Sequence, residues 1–175
     1  HIWISEIMLQ QTTTETVIPY YNRFLKNFPN VEALASASLE EVYKMWEGLG
    51  YYRRAKHIHE SAQIILEKYQ GVFPYEYDAI LSLKGIGEYT AGAISSIAYG
   101  KQVPAVDGNV LRIISRYYLI KENIAETKVQ KKIYQIVQEL ILNHDASAYN
   151  QGMMDLGATI CKPVHPLCLE CPIQK

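Results

Sequence analysis

Leu83-Lys84-Gly85-Ile86-Gly87-Glu88-Tyr89-Thr90-Ala91-Gly92-Ala93 joins two segments of helical periodicity, and the nature of that joint decides the fold. Two glycines one residue apart permit a tight turn with positive φ, and they let backbone N–H groups at the start of the next helix face an anion such as a phosphate. The same residues also suit a plain helix-to-helix turn closed by a glycine C-cap. What surrounds the turn must decide between the two.

Outward from it, apolar residues recur at three and four spacing in segment after segment, and no alternating pattern persists beyond a few residues. The chain is therefore expected to be all-α. Pro29, Gly48, Gly50, Gly71, Pro74, Gly85, Gly87, Gly100, Pro104 and Gly108 cut it into helices predicted near 1–10, 13–28, 31–36, 39–47, 52–69, 75–82, 88–99, 109–120, 126–143 and 147–160. Thr12-x-x-Glu15 and Ser38-x-x-Glu41 read as capping boxes, and Pro19 is expected to kink its helix. There are no internal repeats, low-complexity tracts or obvious linkers.

With 175 residues, 49% of them hydrophobic, the chain can bury a substantial core as one domain or two small interlocked ones. No apolar run approaches the roughly 20 residues of a membrane-spanning helix, and the start has neither the basic flank nor the cleavage site of a signal peptide. A soluble, intracellular protein is expected. Because the sequence opens on His1 inside a helical pattern and ends four residues after a cysteine, it is expected to be a fragment. The net charge of −1 gives no overall nucleic-acid footprint. Tyr51-Tyr52-Arg53-Arg54-Ala55-Lys56-His57 is nevertheless a basic and aromatic run, either a solvated helix start or a local contact surface.

Three further stretches could carry chemistry. Cys161-x6-Cys168-x2-Cys171 lies in a Pro-rich segment, and closely spaced cysteines in an intracellular protein point to metal or cluster ligation. A four-iron, four-sulfur cluster needs four thiolates, whereas His165 would complete a Cys3His zinc site; free thiols are the third possibility. Val106-Asp107-Gly108-Asn109-Val110 reads by itself as an N-cap or turn. In Ser5-Glu6-Ile7-Met8-Leu9-Gln10-Gln11-Thr12, Glu6 is either half of a buried ion pair or a carboxyl kept protonated by apolar neighbours, able to serve as a general acid.

In this order the glycine turn, the later Asp and the cysteine run resemble the endonuclease III superfamily of helix-hairpin-helix DNA glycosylases, and within it the A/G-specific adenine glycosylases of the MutY family. The similarity covers essentially the whole chain through SEIMLQQT (5–12), WEGLGYYRRA (46–55), LKGIGEYTAGAI (83–94), VDGNVLR (106–112) and NQGMMDLGATIC (150–161). It implies a two-lobed all-α fold: a six-helix barrel domain with the hairpin over residues 1–105 and an iron-sulfur cluster domain over 106–175, with DNA in the cleft between. The implied reaction is hydrolysis of the N-glycosidic bond of adenine mispaired with 8-oxoguanine or guanine in duplex DNA.

Residue by residue, the resemblance assigns Glu6 as the acid that protonates N7 of the departing adenine, and Asp107 as the carboxylate that meets the oxocarbenium-like sugar, with Asn109 in support. Tyr89 stands where bifunctional relatives carry a lysine, so no Schiff base can form there and monofunctional excision is implied. Lys84, Gly85 and Gly87 form the phosphate-gripping hairpin. Gln11 and Tyr51 match residues that wedge into the duplex, Leu49 and Leu9 pack beside them, and Gln151 matches a position lining the adenine pocket. Cys161, Cys168 and Cys171 match three ligands of a 4Fe-4S cluster, the fourth expected five residues on, beyond Lys175; the resemblance favours the cluster over zinc with His165. The family's N-terminal segment and its C-terminal domain for reading 8-oxoguanine are absent from this sequence.

The expected partner is duplex DNA, the expected state a monomer, the expected location intracellular and DNA-associated (cytoplasm or nucleoid if bacterial). Rival readings are a thymine mismatch glycosylase of the same superfamily, an inert helix-hairpin-helix DNA-binding module, and an abasic-site lyase acting through Lys84.

Overall fold

The computed structural model describes residues 1–174, among which the secondary structure is helical and contains no strand. The α-helices are α1 Ile2–Leu9, α2 Thr14–Asn27, α3 Val31–Ser36, α4 Leu39–Trp46, α5 Arg53–Tyr69, α6 Tyr77–Leu81, α7 Glu88–Tyr99, α8 Gly108–Tyr117, α9 Thr127–Ile141 and α10 Ala146–Thr159, followed by a 3₁₀ turn at Cys168–Glu170. Every predicted helix is present, and none of its ends has moved by more than about one turn.

The capping expectations divide. At α4 the Ser38 hydroxyl accepts from the Glu41 N–H at 3.2 Å while the Glu41 carboxylate accepts from the Ser38 N–H at 2.7 Å, the reciprocal box expected there. At α2 the N-cap is Thr13, with no side-chain cap bond. The Thr12 hydroxyl is used elsewhere, accepting from Arg54 Nη2 at 3.1 Å and donating to the Gln10 carbonyl at 3.4 Å. α2 runs through Pro19 as one helix.

The chain divides into two compact units, His1–Ile94 and Ser95 onward. The division falls inside α7, earlier than the boundary expected at 105. Asn150 supplies the reason. Only 1% exposed on α10, it donates to Ser96 Oγ at 2.9 Å and to the Val103 carbonyl at 3.0 Å, and accepts from the Ala105 N–H at 3.2 Å. A buried amide with this many partners is committed to them, and it holds residues 96–105 in the second unit.

In the first unit, α5 packs against α1, α3 and α4, and α2 packs against α1 and α4. Trp46, Phe24, Ile58, Ile65 and Val42 are fully buried, and the Phe24 and Trp46 rings meet edge-on at 5.9 Å. Each such side chain contributes about 1.5–3 kcal/mol of burial. In the second unit α8 packs against α9 and α10. Val129, Ile133, Val137 and Ile141 form a stripe of four-residue spacing on α9, and with Val110, Ile113, Ile114, Met153 and Leu156 they build the core of that unit.

Candidate functional site

Glu6 sits on α1 at 8% exposure, between the buried Trp3 and Ile4 and the buried Ile7 and Met8. A carboxyl is thus placed in the most apolar helix start of the chain. The residues after α1 and after α4 share a feature that sequence alone does not show: Gln11 (φ 57°) and Tyr51 (φ 48°) are both left-handed, and both side chains are exposed, Tyr51 at 61%. The second loop needs its glycines. Gly48 has φ 94°, and a Cβ there would come to 2.5 Å from Tyr20 Oη; Trp46 Nε1 donates to the Gly50 carbonyl at 2.9 Å. Leu49 is 6% exposed, so its side chain supports the loop from inside and does not project with Tyr51.

The glycine turn lies between α6 and α7. Gly85 is left-handed at φ 77°, whereas Gly87 is not. Leu83 and Ile86 are buried and anchor the turn, leaving Lys84, Gly85 and Gly87 exposed. Tyr89, half-buried, follows in the first turn of α7. Gln10 ties the turn to the end of α1, donating at 3.3 Å to both the Gly85 carbonyl and Thr90 Oγ1.

His57 packs directly on the turn, since a Cβ at Gly85 would lie 2.8 Å from its Nδ1. Burial holds the His57 imidazole below its ordinary pKa; the Arg53 charge adds to this, Glu60 opposes it, and Lys84 and Lys56 push the same way. Arg53, Lys56 and Lys84 are exposed and all act on His57, which places three cations near the turn, one of them, Lys56, paired with Glu60 at 3.8 Å. Arg54 departs from that run: it is 7% exposed and directed into the unit.

In the second unit Asp107 is the N-cap of α8, as its local sequence suggests. Oδ1 accepts from the Val110 N–H at 2.8 Å and Oδ2 from Asn109 Nδ2 at 2.8 Å. Arg112 Nη2 donates to Asn109 Oδ1 at 2.7 Å and to the Gly157 carbonyl at 2.9 Å, and its Nε donates to the Cys161 carbonyl at 2.8 Å. Both carboxylate oxygens therefore have fixed directions. Neither Arg112 nor Gly157 was singled out as functional from the sequence, although both lie inside quoted blocks.

Gly157 matters because α10 meets α8 there, and an added Cβ would lie 2.4 Å from the Asn109 Cβ. Gly157→Ala is expected to lower stability in urea by about 3 kcal/mol and to displace Asn109, since a well-packed contact cannot absorb that overlap. An unchanged unfolding midpoint would contradict the close approach.

Gln151 lies on the exposed face of α10, its amide donating to the Ser147 carbonyl at 3.2 Å and to Ser147 Oγ at 3.0 Å. Cys161, Cys168 and Cys171 all line one cavity of about 360 Å³, with Ile113, Leu156 and Ile160 among its apolar walls. Arg116 Nη1 lies 3.3 Å from Cys161 Sγ and also donates to the Lys162 carbonyl at 2.8 Å. His165 is exposed. Among the described residues no three His, Cys, Asp or Glu side chains converge as a single metal ion would require.

Thus the first unit gathers Glu6, Gln11, Tyr51 and the glycine turn. The second links Asp107 and Asn109 to the main chain at Cys161 and leaves Gln151 apart from that network. The adenine DNA glycosylase of Buchnera aphidicola subsp. Acyrthosiphon pisum (strain APS) is 48% identical over 174 residues, covering 99% of this chain and 50% of that protein. The chain spans about half the length, or less, of the curated relatives it matches. A thermostable thymine-DNA glycosylase superposes with a TM-score of 0.88 at 31% identity, covering 98% of this chain and 79% of the other. A trapped endonuclease III–DNA covalent intermediate superposes with a TM-score of 0.79 at 26% identity, covering 98% and 79%. Residues 4–139, a span that includes the glycine turn, Glu6 and Asp107, match the family described as HhH-GPD superfamily base excision DNA repair proteins, and the chain belongs to that family.

Proposed function

We propose that this chain carries the catalytic machinery of a monofunctional adenine DNA glycosylase acting on adenine opposite 8-oxoguanine or guanine in duplex DNA. The observation that carries the reading is the first unit's layout: a buried carboxyl on α1, whose following residues lead to an exposed left-handed Gln11 and are tied through Gln10 to the exposed glycine turn. The resemblance of the five sequence blocks and the 48% identity to an adenine DNA glycosylase, against 31% to a thymine enzyme, support adenine as the base.

In this mechanism the target adenine leaves the stack and Glu6 gives its proton to N7, making the base a better leaving group. Positive charge then develops on the sugar, and Asp107, oriented by Val110 and Asn109, offsets it until water completes the hydrolysis. Tyr89 offers no amine, so strand cleavage is not expected to follow. Gln11 and Tyr51 fill the space left in the duplex, while Lys84, Gly85 and Gly87 hold a phosphate. Gln151 is assigned to the adenine pocket.

Cys161, Cys168 and Cys171 are assigned as ligands of a 4Fe-4S cluster. Thiols spread around one cavity, with a guanidinium beside one sulfur, suit the corners of a cluster better than the single centre that zinc with His165 would need. When bound, the cluster would fix the loop that carries these cysteines, and the positive charge beside it would come from side chains such as Arg116. Among the described residues no helix is long and apolar enough to cross a membrane, and we assign the protein to the intracellular, DNA-associated pool, acting as a monomer.

Competing duplexes with adenine or thymine opposite 8-oxoguanine or guanine, given to the full-length protein, test the reading: excision of adenine is expected, and thymine excision would transfer the chain to the thymine-specific branch that the fold likeness also allows. A borohydride-trapped adduct lost on Lys84→Ala would overturn the monofunctional assignment. A phosphate at the turn would favour charged His57, so binding takes up a proton and affinity is expected to rise as pH falls through the His57 range. His57→Asn should flatten that rise in fluorescence-anisotropy titrations; an unaltered slope would remove His57 from the interface.

A further inference from the structure

The buried Arg54 reaches both loops that carry the exposed left-handed residues Gln11 and Tyr51. Nη1 donates to the carbonyls of Ile7 at 3.1 Å, Met8 at 2.5 Å and Gln10 at 2.7 Å. Nη2 donates to Thr12 Oγ1 at 3.1 Å and to the carbonyls of Gly50 at 3.3 Å and Leu49 at 3.5 Å. Its guanidinium carbon lies 5.3 Å from the centroids of both the Trp46 and Tyr51 rings. Nη1 thus grips the end of α1 and its loop, and Nη2 joins Thr12 of that loop to the loop after α4.

The choice of carbonyls is specific. The Gln10 carbonyl belongs to the peptide entering Gln11, and the Gly50 carbonyl to the peptide entering Tyr51. Non-glycine residues with positive φ are held there only when their surroundings over-determine them. A helix C-terminus needs no more than a cation near its last carbonyls, which the contacts to Ile7 and Met8 already provide. The reach to Leu49 and Gly50 exceeds that need, and it leaves Arg54 Nε buried without a partner, a standing cost that stability alone would not favour. Burial also lowers the guanidinium's affinity for its proton, as expected of a charge withdrawn from water into carbonyl contacts.

We infer that Arg54 is a positioning residue: its planar fork locks Gln11 and Tyr51, on loops about forty residues apart, into one prearranged pair that enters the duplex together. This rests on the reading of Gln11 and Tyr51 as the DNA-probing residues. Lysine cannot substitute, because an ammonium is a point donor on a flexible stem and cannot satisfy both loops in one plane. Prearrangement acts on opening of the stack, since loops already ordered lose less freedom when they insert.

The experiment uses the full-length protein and a duplex with 2-aminopurine next to the target adenine, whose fluorescence rises when the stack opens. The pair Gln11→Ala with Tyr51→Ala should remove most of the rise; if it does not, the probing role itself fails, whatever Arg54 does. Given that loss, Arg54→Lys should reduce the rise by about tenfold, the scale of one hydrogen bond to a charged group, while affinity for undamaged duplex stays within about twofold. Placed on the Gln11→Ala, Tyr51→Ala background it should add nothing. An equal effect on both backgrounds, or none on the native one, overturns the proposal. Thr12→Val keeps the arginine but removes the one side-chain oxygen that orients its fork, itself a hydrogen bond to a charged group, and should reduce the rise on that same scale, by about tenfold. If Arg54→Lys does not fold, Thr12→Val decides: an unchanged rise refutes the clamp.

Discussion

Glu6→Gln is expected to leave the protein folded and able to bind a duplex containing adenine opposite 8-oxoguanine, and to lower single-turnover excision by about a thousandfold, the middle of the range for a general acid. The side chain is buried on a helix whose Trp3, Ile4, Ile7 and Met8 are buried too, and the amide replaces it with almost no change of volume in a site that tolerates little. What the amide cannot do is give up a proton to a purine nitrogen. Binding should change by less than about threefold, because phosphate contacts made elsewhere dominate affinity for duplex DNA. Retained turnover would remove Glu6 from the chemistry, whereas no excision by the unaltered protein would favour the inert DNA-binding reading.

Asp107 presents a different case, because the carboxylate proposed to meet the developing charge also caps α8. Asp107→Asn should slow excision by about a hundredfold or more, the scale of losing a fixed charge opposite a developing one. Asparagine is as good an N-cap as aspartate, so thermal stability should fall only slightly. The side-chain amide also meets Asn109 Nδ2 donor to donor, which adds to the loss. Asn109→Ala, which leaves both charge and cap in place, should cost only about tenfold. The reverse order of the two effects would mean that Asn109, and not the carboxylate, dominates the site.

Sequence periodicity located all ten helices because each carries its own apolar stripe and its own breaker, and those signals are local. The identity of the inward face of α5 was less accessible. Arg54 was grouped with Arg53 and Lys56 in a basic run, yet it begins the stripe that continues through Ile58, Ala62 and Ile65. That helical spacing of four, four and three residues was the available signal, masked by the charge of its first member. The close approach at Gly157 and the role of Asn150 in moving the unit boundary to residue 94 depend on partners about fifty residues away, which no local pattern encodes. Thr12 illustrates the same competition on a smaller scale, its hydroxyl drawn from the expected cap by a guanidinium. The glycine turn was legible as a shape; that His57 and Gln10 brace it was not.

The contacts that orient Asp107 also order events in time. Asp107, Asn109 and Arg112 leave the ribosome together, but Arg112 reaches its carbonyl acceptors only once residues 157 and 161 have emerged. Domains fold largely from the N-terminus as the chain is made. The first unit, with Glu6 and the glycine turn, is complete in sequence at residue 94, well before the partners of Arg112 exist. During synthesis Glu6 therefore stands in a unit that is complete in sequence while Asp107 is still unaligned, and the two carboxyls proposed to share the excision are both in place only as translation passes α10 and Cys161.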